Sequence, residues 1–467
     1  MNEKRDNLCG FSILFFAVIL GFCHLGTSLS APYYLALHGD AVFFHQATRA
    51  LIAGALKEWP LNATLSPVFL AYLSFFYQIF PEYSILSVKL FQILLNAGSC
   101  FLIFSLAKNI WNLRAGFCAG MLSAFCGVFI FYSVDIAKPT LVNFLLVATL
   151  YFLFSPGIKN HFKILIVAML WMHACLLRMN LFLFSFWILF YLFDEKKNDV
   201  KKAVKSIGFV LVCMSVSFFW NIWMVANIPH NRAPMSQWGI HFYIGNQSAN
   251  KTGVYQKAES VKADAIGHSL DVKRIVQESG IDNPSDFQIN KYWLEKGLQE
   301  IRNSPMEWLA LMGRKSLLFF NAYEIPSYDN FQYVNAYTPF LKFAGVGAWV
   351  IIPLGLLGVI LSLGDKKRNE VSGLRIFLLC YFLTLLLTFM RSDYRLPVYP
   401  VLLLFCGYAL DQILNWVKSS NVRPLCLSLV VFMALFYLTS GIHLLDSEKY
   451  MSRMQKRVDR DLIKNRI

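Results

Sequence analysis

The recurrence of long apolar runs constrains this chain more than any other feature. Residues 11–30, 88–107, 115–133, 140–155, 163–178, 181–193, 206–226, 341–363, 373–390, 396–411 and 424–440 are dominated by Leu, Ile, Val, Phe and Ala, and most are joined by short polar connections. About 20 apolar residues in succession are needed for a helix to cross the hydrocarbon of a bilayer. Within lipid every backbone N–H and C=O must find a partner inside the chain, so repeated runs of that length read as helices. At 57% apolar residues, with 42 Phe and 21 Tyr, the chain carries more apolar surface than a soluble core would use. The expected fold is an all-α polytopic membrane protein with about 11 transmembrane helices. The runs 163–178 and 181–193 are short for spans and read as tilted helices or as a broken hairpin.

Charge decides the topology. The formal net charge is +15, yet residues 227–340 carry 11 Lys or Arg and 11 Asp or Glu, so the excess lies in the inter-helix loops and tails. Such an excess marks the cytoplasmic side. If residues 40–81 make no net crossing, Lys108 with Arg114, Lys159 with Lys163, the block from Lys196 to Lys205, the block from Lys366 to Arg368, and Lys418 with Arg423 all fall in the cytoplasm. One more crossing would export all of them. The N-terminus is then cytoplasmic. Asp40, Asp135, Arg178, residues 227–340 and the turn from Arg391 to Arg395 share the outer face. The tail after Ser440, with seven Lys or Arg and four acids, would also lie outside. That tail is either an exception, such as an interfacial helix, or a sign that the count is off by one near the end.

Three regions follow: an N-terminal transmembrane module over 1–226 that includes a first outer loop at 31–87, an outer domain over 227–340, and a C-terminal transmembrane module with a basic tail over 341–467. In the first outer loop, residues 41–56 mix Phe43, Phe44 and Leu51 with His45, Gln46 and Arg49, and 66–80 is apolar but short, so both read as interfacial helices. In the outer domain, residues 238–244 alternate as a strand would, and Gly245-Asn246 reads as a turn. Residues 286–302 and 305–320 read as helices, with Pro305 well placed at a helix start. The second has Trp308, Leu311, Met312, Lys315, Leu318 and Phe319 at helical spacing, as for a helix lying on the membrane. The outer domain is thus expected to be small and mixed. All ten cysteines lie in or beside apolar runs, which excludes a disulfide framework for it. No clustered basic surface suits nucleic acid. The N-terminal run lacks a convincing cleavage site and reads as an uncleaved span. A bacterial inner membrane, with the large loop in the periplasm, is the expected location. The sequons at Asn62, Asn246 and Asn250 carry no weight without a glycosylating compartment.

No zinc spacing, phosphate loop, nucleophile elbow or dinucleotide fingerprint is present, so the candidates for chemistry are charged residues at the outer face. His24, His173 and His443 lie in or near spans and read as packed side chains. Asp40 is a helix N-cap or a general base for an acceptor hydroxyl. Asp135 is a turn residue paired with Lys138 or a contact for a sugar or acceptor. Arg178 joins two apolar runs, where a cation must snorkel, pair or work, and its five donors suit a phosphate. The turn holding Arg391, Asp393, Tyr394 and Arg395 is an ordinary polar turn with an Asp393–Arg pair or an anion site. Lys315 is a snorkelling lysine or a further phosphate ligand.

Together these residues resemble the GT-C fold family of integral-membrane glycosyltransferases, in particular the branch of protein O-mannosyltransferases and bacterial aminoarabinose transferases that modify lipid A. The resemblance runs through Asp40 beyond the first span, Tyr132…Asp135…Lys138 before an apolar run, and Arg178 to Asn180. It continues through the stretch from Gly239 to Asn246, Lys315 with the following Asn321-Ala322-Tyr323-Glu324, and Tyr394-Arg395-Leu396-Pro397 with Pro400. The sequence departs from the family pattern in Ala41 after Asp40, Pro139 after Lys138, Met179 after Arg178, and Asp393 before Tyr394.

The resemblance implies transfer of a sugar from a polyprenyl-phosphate donor at the outer face, with Asp40 as the catalytic acidic residue. Asp135, Lys138, Arg178, Asn180, Lys315, Tyr394 and Arg395 are the expected substrate-binding residues. The expected partners are the donor, membrane lipids and an unidentified hydroxyl acceptor, in lipid, glycan or protein. No metal or other cofactor is expected as obligatory, although a divalent ion beside Asp40 is compatible with the reading. A lipid-linked oligosaccharide ligase or polymerase, a lipid or glycan transporter, and an inactive glycan-binding scaffold are the alternatives. A transporter would favour inverted repeats and ionisable groups at the midplane, and the sequence shows no repeat.

Overall fold

The computed structural model describes residues 2–29, 31, 37, 40–56, 66–155, 159–193, 199–227, 237–262, 265–326, 331–338, 340–341, 344–364, 369–442 and 444–464. His38, Gly39, Asn62, His443 and the basic residues at 196–197 and 366–368 lie outside the described residues. The elements in order are α1 (Asn2–Ser28), α2 (Asp40–Ile52), α3 (Pro67–Ile79), α4 (Ser84–Ile110), α5 (Leu113–Ala124), α6 (Gly127–Ser133), α7 (Pro139–Phe154) and α8 (Asn160–Leu177). A 3-10 turn (Met179–Phe184) leads into α9 (Ser185–Phe193) and α10 (Asp199–Asn227). The outer segment holds α11 (Trp238–Asn246), α12 (Ala265–Glu278), α13 (Asp286–Asn303), α14 (Pro305–Phe319) and α15 (Phe331–Tyr337). The chain closes with α16 (Ala348–Leu361), α17 (Asn369–Leu386), the single turn α18 (Ser392–Arg395), α19 (Val398–Lys418), α20 (Val422–Ser440) and α21 (Ser447–Lys464).

Among the described residues six helices are long and apolar enough to cross a membrane: Lys4–Ser28, Ser84–Ile110, Ser206–Met224, Asn369–Leu386, Val398–Lys418 and Val422–Ser440. Five shorter apolar helices accompany them, at Pro67–Ile79, Pro139–Phe154, Phe162–Leu177, Met179–Leu192 and Ala348–Gly364. The bundle is held by α4 on α5, α5 on α19 and α19 on α16, with α1 and α7 flanking α4 and α8 joining α7 to α10. Gly407 makes the α5–α19 contact possible: a Cβ there would lie 2.3 Å from the Ala115 carbonyl oxygen. Small residues that let backbones touch are the usual means of close helix packing in lipid.

Polar contacts fix which ends lie together. The Asn112 side chain caps α5 by accepting from the Arg114 and Ala115 N–H groups. Its amide donates to Asp411 of α19 at 2.7 Å, and Arg114 pairs with Asp411 at 3.1 Å. Lys108 pairs with Asp6 at 3.0 Å. The start of α1, the α4–α5 hairpin and the end of α19 therefore share one face of the bundle. At the opposite face the Thr439 carbonyl accepts the Ala322 N–H at 2.8 Å, and Ile442 and Leu444 carbonyls accept from Asn321 and Arg314. There α21 packs on α15, with the Tyr337 hydroxyl donating to Gln455 at 2.7 Å. The basic tail thus lies on the face of the outer segment, where its buried Met454 and Val458 meet protein.

The structure corrects the sequence reading at three places. The run 115–133 is not one helix: it breaks between Ala124 and Gly127, where the Gly127 N–H donates to the Val346 carbonyl at 3.1 Å. A break at such depth is tolerated because protein, not lipid, supplies the missing partner. Residues 238–244 are not a strand but part of α11, whose buried Gly239, Ile240, Tyr243 and Ile244 follow a helical period. In so short a stretch both periods fit, and packing decides. Here α11 lies on α13, with the Gly239 N–H donating to Asn290 at 2.8 Å. Gly245 and Asn246 finish this helix rather than forming a turn, with Gly245 pressed against the Thr388 carbonyl. Among its described residues the outer segment is accordingly helical, not mixed. Among the described residues only two isolated bridges, Cys126 to Val346 and Val254 to Met390, pair extended backbone. The outer segment has its own small core around Ile240, Ile244, Val272 and Trp293, and Phe389 joins it from the turn after α17.

Candidate active site

Four chain segments converge on the face that carries the outer segment. Asp40 is the first residue of α2, where a carboxylate is favoured by the free N–H groups of a helix start. The connection between α6 and α7 carries Asp135 and Lys138. Thr140 donating to the Tyr132 carbonyl at 2.8 Å and Gln92 donating to the Ala137 carbonyl at 3.1 Å hold it in place, and Pro139 opens α7. Arg178 ends α8 in extended conformation. The turn after α17 is pinned on both sides, the Met390 N–H donating to Gly253 at 2.9 Å and the Ser392 N–H to Ile325 at 3.0 Å.

Their side chains form one cluster of three acids and three cations. Arg391 Nε lies 3.0 Å from Asp393 Oδ1, and a guanidinium nitrogen of Arg178 lies 3.5 Å from Asp393 Oδ2. Arg391 also reaches to 4.0 Å from Asp40. The Tyr394 ring sits against both guanidiniums, 4.6 Å from that of Arg178 and 5.0 Å from that of Arg391, and stacks on Phe389. Lys138 lies over the Phe44 ring at 5.0 Å and, with Asp135, within electrostatic reach of Asp40. Asp135 Oδ2 is buried without a hydrogen bond among the described residues, and Lys89 of α4 approaches it electrostatically.

Accessibility separates the roles. The Asp40 side chain is 44% exposed, whereas Arg391, Asp393 and Arg178 retain 12%, 14% and 7%. Asp40 therefore meets whatever enters, and the arginines stand behind it. Neighbouring protein nonetheless removes part of the water around Asp40. That burial raises its carboxyl above the usual carboxylate range against the opposing pull of Arg391. Burial, aided by Arg178, pushes Lys138 down to about 8.

Two expected ligands lie elsewhere. The Arg395 guanidinium is buried and donates to the carbonyls of Leu318, Asn321 and Tyr323, to Glu324 at 3.2 Å and to Tyr399 at 3.0 Å. Lys315 is also buried, with Nζ 2.8 Å from the Leu386 carbonyl and 3.4 Å from Asn246 Oδ1, and burial pushes it down to about 7. Both hold the outer segment to α17 and to the turn beyond it. Asn180 follows Arg178 in the 3-10 turn, its carbonyl accepting from Thr384 at 3.4 Å, and no hydrogen bond among the described residues joins it to the cluster. Sequence reasoning singled out the arginine turn and a pair between Asp393 and an arginine within it, but named Arg395 rather than Arg391 as a ligand; the structure pairs Asp393 with Arg391. Arg391 precedes α18 in extended backbone, while Arg395 is on the helical turn, so the two side chains leave in different directions.

Among solved structures the chain is similar to the oligosaccharyltransferase of Archaeoglobus fulgidus in the apo form, with 11% identity and a TM-score of 0.51 over 97% of this chain and 56% of that one. It also matches AglB from the same organism in complex with an inhibitory peptide and a dolichol-phosphate, with 10% identity and a TM-score of 0.48 over 92% and 55%. A third match is ArnT from Cupriavidus metallidurans bound to undecaprenyl phosphate, with 12% identity and a TM-score of 0.38 over 87% and 79%. The chain spans little more than half the length of the two archaeal structures. It has the GT-C fold, the helical architecture of integral-membrane glycosyltransferases. More particularly, residues 64–223, from α3 into α10, match the family described as dolichyl-phosphate-mannose-protein mannosyltransferase. No curated protein matches the chain in sequence.

Proposed function

We propose that the chain moves a sugar from a polyprenyl-phosphate donor to a hydroxyl acceptor, on the outer face of a bacterial inner membrane, in one inverting displacement. The observation that carries this reading is an accessible carboxylate, Asp40, 4.0 Å from the Arg391 guanidinium, with the Arg178 guanidinium joined to the same group through Asp393. A sugar phosphate already has a good leaving group. What its transfer lacks is a base for the incoming hydroxyl and positive charge for the departing phosphate. The acceptor oxygen gives its proton to Asp40 and bonds to the anomeric carbon. The bond from that carbon to the phosphate oxygen breaks, and its electron pair leaves with the polyprenyl phosphate. Arg391 and Arg178 stabilise that charge, and positioned groups of this kind contribute about 2–4 kcal/mol each.

Asp135, Lys138 and Asn180 serve as contacts for the sugar or acceptor in this reading, and Tyr394 holds the two guanidiniums apart. The geometry favours supporting roles for Lys315 and Arg395 in place of the phosphate contacts expected from the sequence. The family matched by residues 64–223 is described by a lipid-phosphate sugar donor, which supports the donor class.

The test is transfer of labelled sugar from defined polyprenyl-phosphate donors, monosaccharide and oligosaccharide, to fractionated membrane acceptors. Transfer from monosaccharide donors, lost in Asp40→Asn while donor binding persists, is the expected result. Transfer only from oligosaccharide donors would replace the reading with a ligase. Equal turnover in the variant would remove Asp40 from the chemistry.

A further inference from the structure

The two guanidiniums assigned to the phosphate share an internal partner, Asp393. Its carboxylate spans them, one oxygen 3.0 Å from Arg391 and the other 3.5 Å from Arg178, while the Tyr394 ring lies against both cations. A carboxylate between two forked cations offers negative charge and a two-oxygen edge, as a phosphate does. The contact to Arg178 is long for a charge-assisted hydrogen bond, and Arg178 Nε is buried with no hydrogen bond among the described residues. Arg178 therefore has donor capacity for a second anion. Asp393 follows Arg391 by two residues in a turn whose backbone is pinned at Met390 and Ser392, so its side chain can rotate away without moving the turn.

We propose that Asp393 is an internal counter-anion that the lipid phosphate must displace, and that it sets how tightly the polyprenyl phosphate product is held. This rests on the phosphate-binding reading of Arg178 and Arg391. Asp393 bridges the guanidiniums, orients them and offsets their charge. When a phosphate arrives, part of its attraction to the arginines is offset by loss of the Asp393 contacts, so the site binds the phosphate more weakly than two free arginines would. Weaker holding speeds product release. An enzyme that leaves a phosphate on a hydrophobic anchor, still confined to the membrane, needs such a device, because the anchor alone keeps the product near the site.

The experiment is direct binding of undecaprenyl phosphate to the full-length protein in detergent, with inorganic phosphate as the headgroup without its lipid. The expected result is that Asp393→Asn binds undecaprenyl phosphate roughly tenfold more tightly than wild type and lowers kcat and KM together, as when product release becomes limiting. Inorganic phosphate should show the same direction at lower affinity if the headgroup carries the effect. Unchanged or weaker binding in a folded Asp393→Asn protein, judged by its thermal unfolding, would overturn the proposal. Asp393→Ser, which leaves space in place of the amide, decides the same question should the Asn variant fail to fold. Arg178→Gln and Arg391→Gln separate the two layers of inference. If both lose lipid-phosphate binding while the Asp393 variants do not gain it, only the counter-anion role falls. If neither loses it, the phosphate site itself is elsewhere and both fall.

Discussion

A carboxylate that lines a cleft beside three cations is expected to stay ionised easily, yet for Asp40 burial outweighs the pull of Arg391, and the nearby Asp393 and Asp135 act in the same direction as burial. Its folded-state value is raised, which makes two predictions. As a base Asp40 must be deprotonated, so the acidic limb of kcat/KM should fall at a pH above the ordinary carboxylate range of about 4. For stability, a group whose folded value is raised contributes fully below its unfolded value, and that contribution is lost as pH rises through the folded value. At neutral pH ionised Asp40 is therefore a net cost to the fold. Asp40→Asn should leave the thermal unfolding temperature at pH 7 unchanged or higher while abolishing turnover, as measured in detergent. A marked drop in unfolding temperature would mean that Asp40 is a structural partner of Arg391 first. Asp40 and Arg178 were legible as candidates because a charge at the edge of an apolar run needs a reason. The turn holding Arg391 and Asp393 was legible as a candidate too, but one turn with two arginines does not show which of them meets Asp40.

At the scale of elements, the turn that carries Arg391, Asp393 and Tyr394 depends on a second buried group. Glu324, after α14, accepts from Arg395, from the Tyr399 hydroxyl and from the Ser392 hydroxyl, tying the outer segment to α18 and α19. Breaking a buried pair by removing one partner typically costs about 3–5 kcal/mol, because the other charge is left unpaired. Glu324→Ala should lower the unfolding temperature substantially and reduce transfer, with Glu324→Gln milder on both counts because its one carbonyl oxygen still accepts at one of the two positions where Tyr399 and Ser392 donate. Full stability in Glu324→Ala would show that the carbonyls around Arg395 suffice alone. The helical α11 belongs to this scale too. Its residues fit a strand as readily as a helix until α13 is present to pack against Gly239, so no local reading could have settled it.

For the whole molecule the informative fact is where the basic tail lies. Lys108 against Asp6 and Arg114 against Asp411 mark one face, while α21 lies at the other, beside α15 and the outer segment. Excess Lys and Arg normally mark the cytoplasmic side, but the rule weakens for a segment following the last span whose apolar side is covered by protein. A single cysteine placed at Ser452, in a background without the native cysteines, should react with a membrane-impermeant thiol reagent from the same side as one placed at Lys251 of the outer segment. One placed at Lys4 should be protected until the membrane is opened. Labelling of positions 4 and 452 from the same side would require a different path for α20.

By itself the sequence determined the class of molecule. The length and number of its apolar runs require helices in a bilayer, since no other arrangement satisfies the backbone there. The uneven charge of its loops grouped Asp40, Asp135, Arg178 and the arginine turn on one side before any coordinates were available. Those signals survive in one dimension because hydrophobic length and loop charge act locally. Only the tertiary structure decided which groups touch. It committed Arg395 and Lys315 to holding the outer segment, set Asp393 between Arg178 and Arg391, and broke the run 115–133 at Gly127. Each outcome depends on the direction in which a side chain leaves its backbone and on partners remote in the chain, and neither is fixed by spacing along the sequence.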